Sequence, residues 1–258
     1  MTTLAEILAS AIPAEGGFDV TIPADWMQGR TSYGGLSAAL ALKAAQACEP
    51  DLPPLRSAQV AFIGPLAGAV NVRATRLRRG RNAAFIQADV TGEAGLGLRA
   101  TFVFMAEIAS SVSFDAGVAT DRRPPVPGTK LWSGPEGFFA SNFEFFDPKD
   151  PDLGPADLLR WGRMKAHEGI DPMVHLIAIA DGLPPGAIRL MGDMRAPVSS
   201  LTWIVNLLTP APATTDGWWL LSARSGYARH GCSSQSMAIW NADGQLIAEG
   251  MQSVALFG

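Results

Sequence analysis

The hydrophobic pattern runs through the same order of periods twice along the chain. Tyr33 to Cys48, YGGLSAALALKAAQAC, is apolar nearly all round; from Gly34 on, Lys43 and Gln46 are its only strongly polar side chains. A helix of that kind must be wrapped by other structure. VAFIGPL follows at Val60 to Leu66, and then the alternating runs NVRATRLRRGRNAAFIQADV and LGLRATFVFM. The second round opens with DPMVHLIAIAD, Asp171 to Asp181. LTWIVNLLTP follows at Leu201 to Pro210, then WWLLSARSGYARHGCSSQSMAIW and QLIAEGMQSVAL. Each round gives a helix, a strand with a proline stop and three alternating strands, and the spacings from Pro65 to Ala100 and from Pro210 to Ala248 nearly match. A duplicated helix-plus-sheet unit predicts an α+β fold of two modules with sites between them.

Local signals divide the chain. Residues 1–16 read as a short amphipathic helix ending before Pro13, and Phe18 to Ile22 as a strand. Arg78-Arg79-Gly80-Arg81-Asn82 and Asn241-Ala-Asp-Gly244 mark hairpins. Pro124, Pro125 and Pro127, with several Gly and Ser, mark a linker. The expected modules are therefore 1–110 and 138–258, joined by 111–137. Asp171 is an N-cap with Pro172 at the first helical position, and the helix stops at Asp181-Gly182. Gly34 and Gly35 disfavour a helix interior, so they belong to the first turn.

Composition narrows the classes. The 258 residues are 48% hydrophobic and 17% charged, enough for a sizeable core. A formal net charge of -4 argues against a general nucleic-acid binder. The start has no basic region and carries Glu6, and no apolar run reaches bilayer length, so neither a signal peptide nor a membrane partner is expected. Cys48 and Cys232 fall in different modules, which fits a reduced, cytoplasmic setting. Three histidines (His167, His175, His230) form no ligand cluster, so no metal or other cofactor is expected.

Three stretches carry a resemblance. WMQGRTSYGGLSAALALKAA (Trp26 to Ala45), HLIAIADG (His175 to Gly182) and DGQLIAEGMQ (Asp243 to Gln252) resemble the opening loop and first helix, the second helix and the last hairpin of the type II acyl-CoA thioesterases. The similarity spans roughly Phe18 to the C-terminus. It implies a tandem (double) hotdog, two antiparallel sheets each wrapping a long helix, or one continuous sheet wrapping both. It implies acyl-CoA as substrate and a homodimer or larger homo-oligomer. It also implies a water held by an Asp, a Thr or Ser, and a Gln. Carried over, these are Asp181, a hydroxyl on the strand Val198 to Leu207, and Gln252. Counting back from Pro210 puts the hydroxyl at Ser200, with Thr202 as fallback, two residues on and so on the same strand face. The family more often has Thr there.

The chemistry is consistent with that set. Thioester hydrolysis needs a positioned water, a proton acceptor and a partner for the developing oxyanion. Asp181 is the acceptor, and Gln252 with Ser200 orients the water. Asp181 at a helix C-terminus opposes the dipole, so the position needs another reason. Gly34 and Gly35 either expose N–H groups to a carbonyl or permit close packing; both readings stand. Arg78, Arg79 and Arg81, with Arg73 and Arg76, either grip CoA phosphates or are solvated hairpin residues. Trp203, Trp218 and Trp219 with Phe143, Phe145 and Phe146 line an acyl tunnel or are plain core. Three rivals remain. Asp171 and His175 superficially resemble a hotdog hydratase pair, although the spacing is one short. Gly35-Leu36-Ser37-Ala38-Ala39 misses a nucleophile elbow because its last Gly is Ala. A non-catalytic acyl-CoA-binding protein is the third.

Overall fold

The computed structural model describes residues 1–192 and 196–257. The chain opens with helix α1 (Leu4–Ala9), held by a reciprocal cap in which Thr3 and Glu6 bond each other's backbone N–H. It is shorter than the sequence suggests, because Pro13 already lies in strand β1 (Ile12–Ala14), paired with Phe18 of β2 (Gly17–Ile22). Proline is tolerated there because β1 is an edge strand. A small hairpin follows, β3 (Met27–Gln28) and β4 (Thr31–Ser32), and leads into α2 (Gly34–Cys48). Then come β5 (Leu55–Phe62), β6 (Gly68–Arg79), β7 (Ala83–Gly92) and β8 (Gly95–Met105). Residues 106–131 contain neither helix nor strand. The second half has β9 (Phe143–Phe146), β10 (Asp157–Met164), α3 (Pro172–Ala180), a 3-10 turn (Gly186–Leu190), β11 (Val198–Leu207), β12 (Trp219–Arg229), β13 (Cys232–Asn241) and β14 (Leu246–Leu256).

Among the described residues, twelve strands form one antiparallel sheet in the order β1-β2-β6-β7-β8-β5-β11-β14-β13-β12-β10-β9. The order reads the same from either end once the halves are matched. β5 and β11 join them, from Ala61 opposite Thr202 to Ser57 opposite Asn206. Of the two arrangements expected, two sheets or one continuous sheet, the second is found: the first strand after each helix uses its free edge to pair with the other's, which removes two edges at once. The second helix is not long; α3 has 9 residues against 15 in α2.

Bulges show how closely the halves correspond. The β5 ladder slips between Leu55 and Ser57, and the β11 ladder between Ser200 and Thr202. Slips also occur between Arg76 and Arg78 on β6 and between Ser225 and Tyr227 on β12. With these aligned, the row Ile86–Phe102–Ala58 across β7, β8 and β5 corresponds to the row Gln235–Gln252–Trp203 across β13, β14 and β11.

The two helices pack antiparallel inside the sheet. Tyr33, at the start of α2, donates its hydroxyl to the Ala178 carbonyl near the end of α3 at 2.8 Å. At the other end, Gln46 Nε2 donates to the Asp171 carboxylate at 3.1 Å. This contact explains the all-round apolar character of α2. One side faces β6, β7 and β8, the other faces α3, and Gly35 to Leu42 are all buried.

Candidate functional site

The site forms where the start of α2 meets the end of α3. Tyr33, the N-cap residue of α2, makes no side-chain cap bond, so the first N–H groups of that helix need an outside acceptor. Asp181, the C-cap residue of α3, lies against it, with Oδ2 beside Gly34, and the backbone N–H of Gly35 favours its ionised form. The acid lies at the unfavourable end of its own helix and at the favourable end of its neighbour.

The Gly34-Gly35 pair makes this approach possible. A Cβ on Gly34 would sit 2.5 Å from Asp181 Oδ2 and 2.9 Å from the Phe62 ring. One on Gly35 would collide with the Ala178 carbonyl and lie 2.6 Å from Tyr33. Close packing is therefore the reason for both glycines.

The second support comes from the sheet. Gln252 on β14 donates through Nε2 to Asp181 Oδ1 at 2.9 Å. Its Oε1 accepts from Gln235 Nε2 at 2.7 Å, and Gln235 Oε1 accepts from the Gly186 N–H at 3.0 Å. Gln235 was not singled out from the sequence. The available signal was a polar residue at an inward strand position, two before Met237 and four before Ile239, both buried.

Burial raises the Asp181 carboxyl to about 7, against the opposing effect of the Gln252 and Gly35 donors. The residue still keeps part of its surface accessible. That exposure belongs to the residue as a whole; its carboxyl is densely enclosed, and near neutral pH it exists in both protonation states. Burial, and after it the charge of Asp181, pushes the neighbouring Tyr33 phenol well up. Tyr33 stacks on Phe139 at 4.2 Å, and both rings meet Phe143 edge-on. Of the tryptophan and phenylalanine set, Phe143 and Phe145 belong to this core, whereas Trp218 packs in a separate cluster with Trp161 and Leu220.

The hydroxyl candidates separate. Ser200 lies opposite Val254, a buried residue two beyond Gln252 on β14, and so shares the inward face with Gln252. No hydrogen bond among the described residues joins it to Asp181 or Gln252. Thr202 lies opposite Ser253 and is exposed on the outer face. The expectation that both share a face fails because the bulge between them adds one residue and reverses the alternation.

Other candidates lie elsewhere. Arg78, Arg79 and Arg81 are exposed on the β6–β7 hairpin. Arg79 donates to the Asp51 carbonyl and Arg76 pairs with Glu49, both just past the end of α2. The length of α2, ~22 Å for 15 residues, separates that end from Asp181. Asp171 is occupied as a cap, accepting from the N–H groups of Met173 and Val174. His175 is buried and its imidazole pushed down to about 4, chiefly by desolvation and then by His167, so it is neutral at pH 7. It faces His167 and Trp219. Neither geometry nor charge makes Asp171 and His175 an acid–base pair. Among the described residues, Ser37 Oγ bonds only the Ser32 hydroxyl and the Tyr33 carbonyl.

Two cavities flank the arrangement. One of ≈10 Å³, lined by Ala180, Trp203, Val205, Met237, Ile239 and Ala248 among others, lies beneath the end of α3. The other, ≈340 Å³, is lined by Gln235, Ser225 and Arg224 but not by Asp181 or Gln252.

Comparison with known proteins adds the following. The family described as the acyl-CoA thioesterase C-terminal domain matches residues 118–256, and the acyl-CoA thioesterase N-terminal domain matches residues 22–105. Among solved structures, a hot dog fold protein of unknown function from Alicyclobacillus acidocaldarius superposes with a TM-score of 0.83 at 21% identity, covering 100% of this chain and 99% of that one. A structure described as a putative thioesterase II from Thermobifida fusca gives 0.82 at 18% identity, over 99% and 98%. A tesB protein of Mycobacterium avium subs paratuberculosis gives 0.77 at 18% identity, over 98% of each chain. At these identities the superpositions show a shared hotdog fold. No curated protein matches the chain.

Proposed function

We infer the chemistry from one premise: the chain belongs to the type II acyl-CoA thioesterase family. The reading is hydrolysis of an acyl-CoA to the free acid and CoA. The observation that carries it is Asp181, a carboxyl raised to about 7 that a sheet-borne glutamine holds against the start of α2. Such a group is poised to take a proton near neutrality.

In this reading Asp181, ionised, accepts a proton from a water at its accessible side. The oxygen of that water attacks the thioester carbonyl carbon. The tetrahedral intermediate collapses by breaking the C–S bond, and the proton held by Asp181 goes to the departing sulfur. Gln252 holds the carboxylate through one N–H and has a second N–H for the water or the carbonyl oxygen. Ser200, on the same face, is the hydroxyl that completes the water's coordination once substrate is bound. Arg78, Arg79 and Arg81, at the far end of α2, have no role in the bond-breaking step.

The test is direct measurement of thiol released from a panel of acyl-CoAs, with the Asp181→Asn protein alongside. Thiol release by the native chain that disappears in the variant supports the reading. Binding of acyl-CoA with no thiol release by the native chain supports the binding-protein rival and overturns it.

A further inference from the structure

We propose that Gln235 is a positioning residue for this reaction, setting which way the Gln252 amide points. The argument starts from a group whose chemistry has only one sense. The Gly186 N–H can donate and cannot accept. The Gln235 atom that faces it at 3.0 Å is therefore the oxygen, so the other end of that amide, facing Gln252 at 2.7 Å, is the nitrogen. Only the Gln252 oxygen can receive it, so the Gln252 nitrogen faces Asp181 at 2.9 Å. The orientation of an amide is ordinarily chosen by the best network around it. Here one backbone donor dictates two amides in series.

The local structure is built to deliver that donor. Gly186 opens the 3-10 turn after α3, and a Cβ there would collide with the backbone carbonyls of Ala156 and Ala223. Only glycine lets the turn lie this close to β10 and β12. Gln235 is 1% exposed and Gln252 4%, so bulk solvent competes little for the bond between the two amides. A flipped Gln252 would set its oxygen against the Asp181 carboxylate and disfavour the ionised base. Gln235 blocks that flip without touching the reacting atoms.

The proposal rests on Asp181 acting as the base. Gln235→Met keeps the length and removes the relay. It should lower kcat roughly tenfold, about the effect of one lost hydrogen bond to a charged group's partner, with little change in KM. The acid limb of its pH profile should move to higher pH. In a Gln252→Ala background the same substitution should change kcat by less than about twofold, because there is no amide left to orient. An unchanged kcat and acid limb in the folded variant overturns the proposal, and so does an equal loss in both backgrounds.

Should Gln235→Met not fold, Gln235→Glu decides. It retains an acceptor for Gly186. Protonated, it also retains a donor for Gln252; ionised, it has none. Its activity should fall as pH rises through the introduced carboxyl's titration, and a profile of native shape overturns the proposal. Asp181→Asn separates the two levels. If it is inactive while the Gln235 variants behave as native, only the positioning role fails. If it keeps full activity, the base assignment itself fails.

Discussion

The two halves share a backbone register down to their bulges, yet their matched central rows have opposite chemistry. In the first half the row is Ile86, Phe102 and Ala58; in the second it is Gln235, Gln252 and Trp203. All six are buried. The helix starts differ in the same sense. The start of α3 caps itself with Asp171 and Pro172, whereas the start of α2 has no side-chain cap of its own and takes Asp181 from the other helix. A buried polar row is tolerated only when every member is paired, and an apolar row needs no pairing. The duplicated frame therefore holds one polar site, built from the second half's sheet and the first half's helix.

The difference can be broken most sharply at the two helix ends that correspond. Asp181→Asn should lower kcat by about 10²-fold or more with a smaller effect on KM, since it removes a general base. Glu49→Gln, at the end of α2 and paired with Arg76, should leave kcat within about twofold. Steady-state kinetics on the two proteins checks this, and equal losses would erase the distinction between the halves.

Giving the second half the first half's chemistry is the next test. The double substitution Gln235→Leu with Gln252→Leu should lower kcat by at least roughly tenfold, while Tm stays level or rises apart from the cost of the orphaned Gly186 N–H. Thermal melts beside the kinetics will show whether activity and stability part as expected.

Ionisation sets activity and stability against each other. The Asp181 carboxyl is raised to about 7 in the fold from an ordinary value of 3.8. Its contribution to stability is complete below about pH 4, where both folded and unfolded forms are protonated, and is lost as pH climbs towards 7. Over the same range activity should rise, because the base must be ionised. The drop in Tm between pH 4 and 7 should be shallower in Asp181→Asn than in the native protein. A native Tm flat across that range would mean that the site is better solvated than its geometry indicates.

The smallest contrast lies across one bulge. Ser200→Ala, on the inward face, should reduce kcat about threefold to tenfold, the scale of one neutral hydrogen bond. Thr202→Ala, on the outer face, should change it by less than about twofold. Reversal of that order would place the reactive hydroxyl on the opposite side of β11.

Much of this was readable from residue order because it depends on local periodicity. The all-round apolar run of α2 announces a wrapped helix, Asp171-Pro172 announces the start of α3, and Asn241 to Gly244 announces the last hairpin. Asp181 and Gln252 were marked by the family resemblance, and an acid at a helix C-terminus, which lacks a local justification, agreed with it. The Ser200–Thr202 reading went wrong for an equally physical reason. Strict alternation assumes an unbroken ladder, and a one-residue bulge leaves no mark in this composition.

The chain's own pattern thus determined two helix-and-strand units and an enclosed first helix; the resemblance it carries pointed to the acid and the amide that became neighbours. Tertiary structure decided the rest. It joined the sheets through β5 and β11, showed that Gly34 and Gly35 serve the approach of Asp181, and brought Gln235 and Gly186 into line behind Gln252. Periodicity reports which face a residue takes within its own element. Asp181 and Gln252 are joined across a sequence separation of 71. What stands opposite across such a gap follows only from how the elements pack.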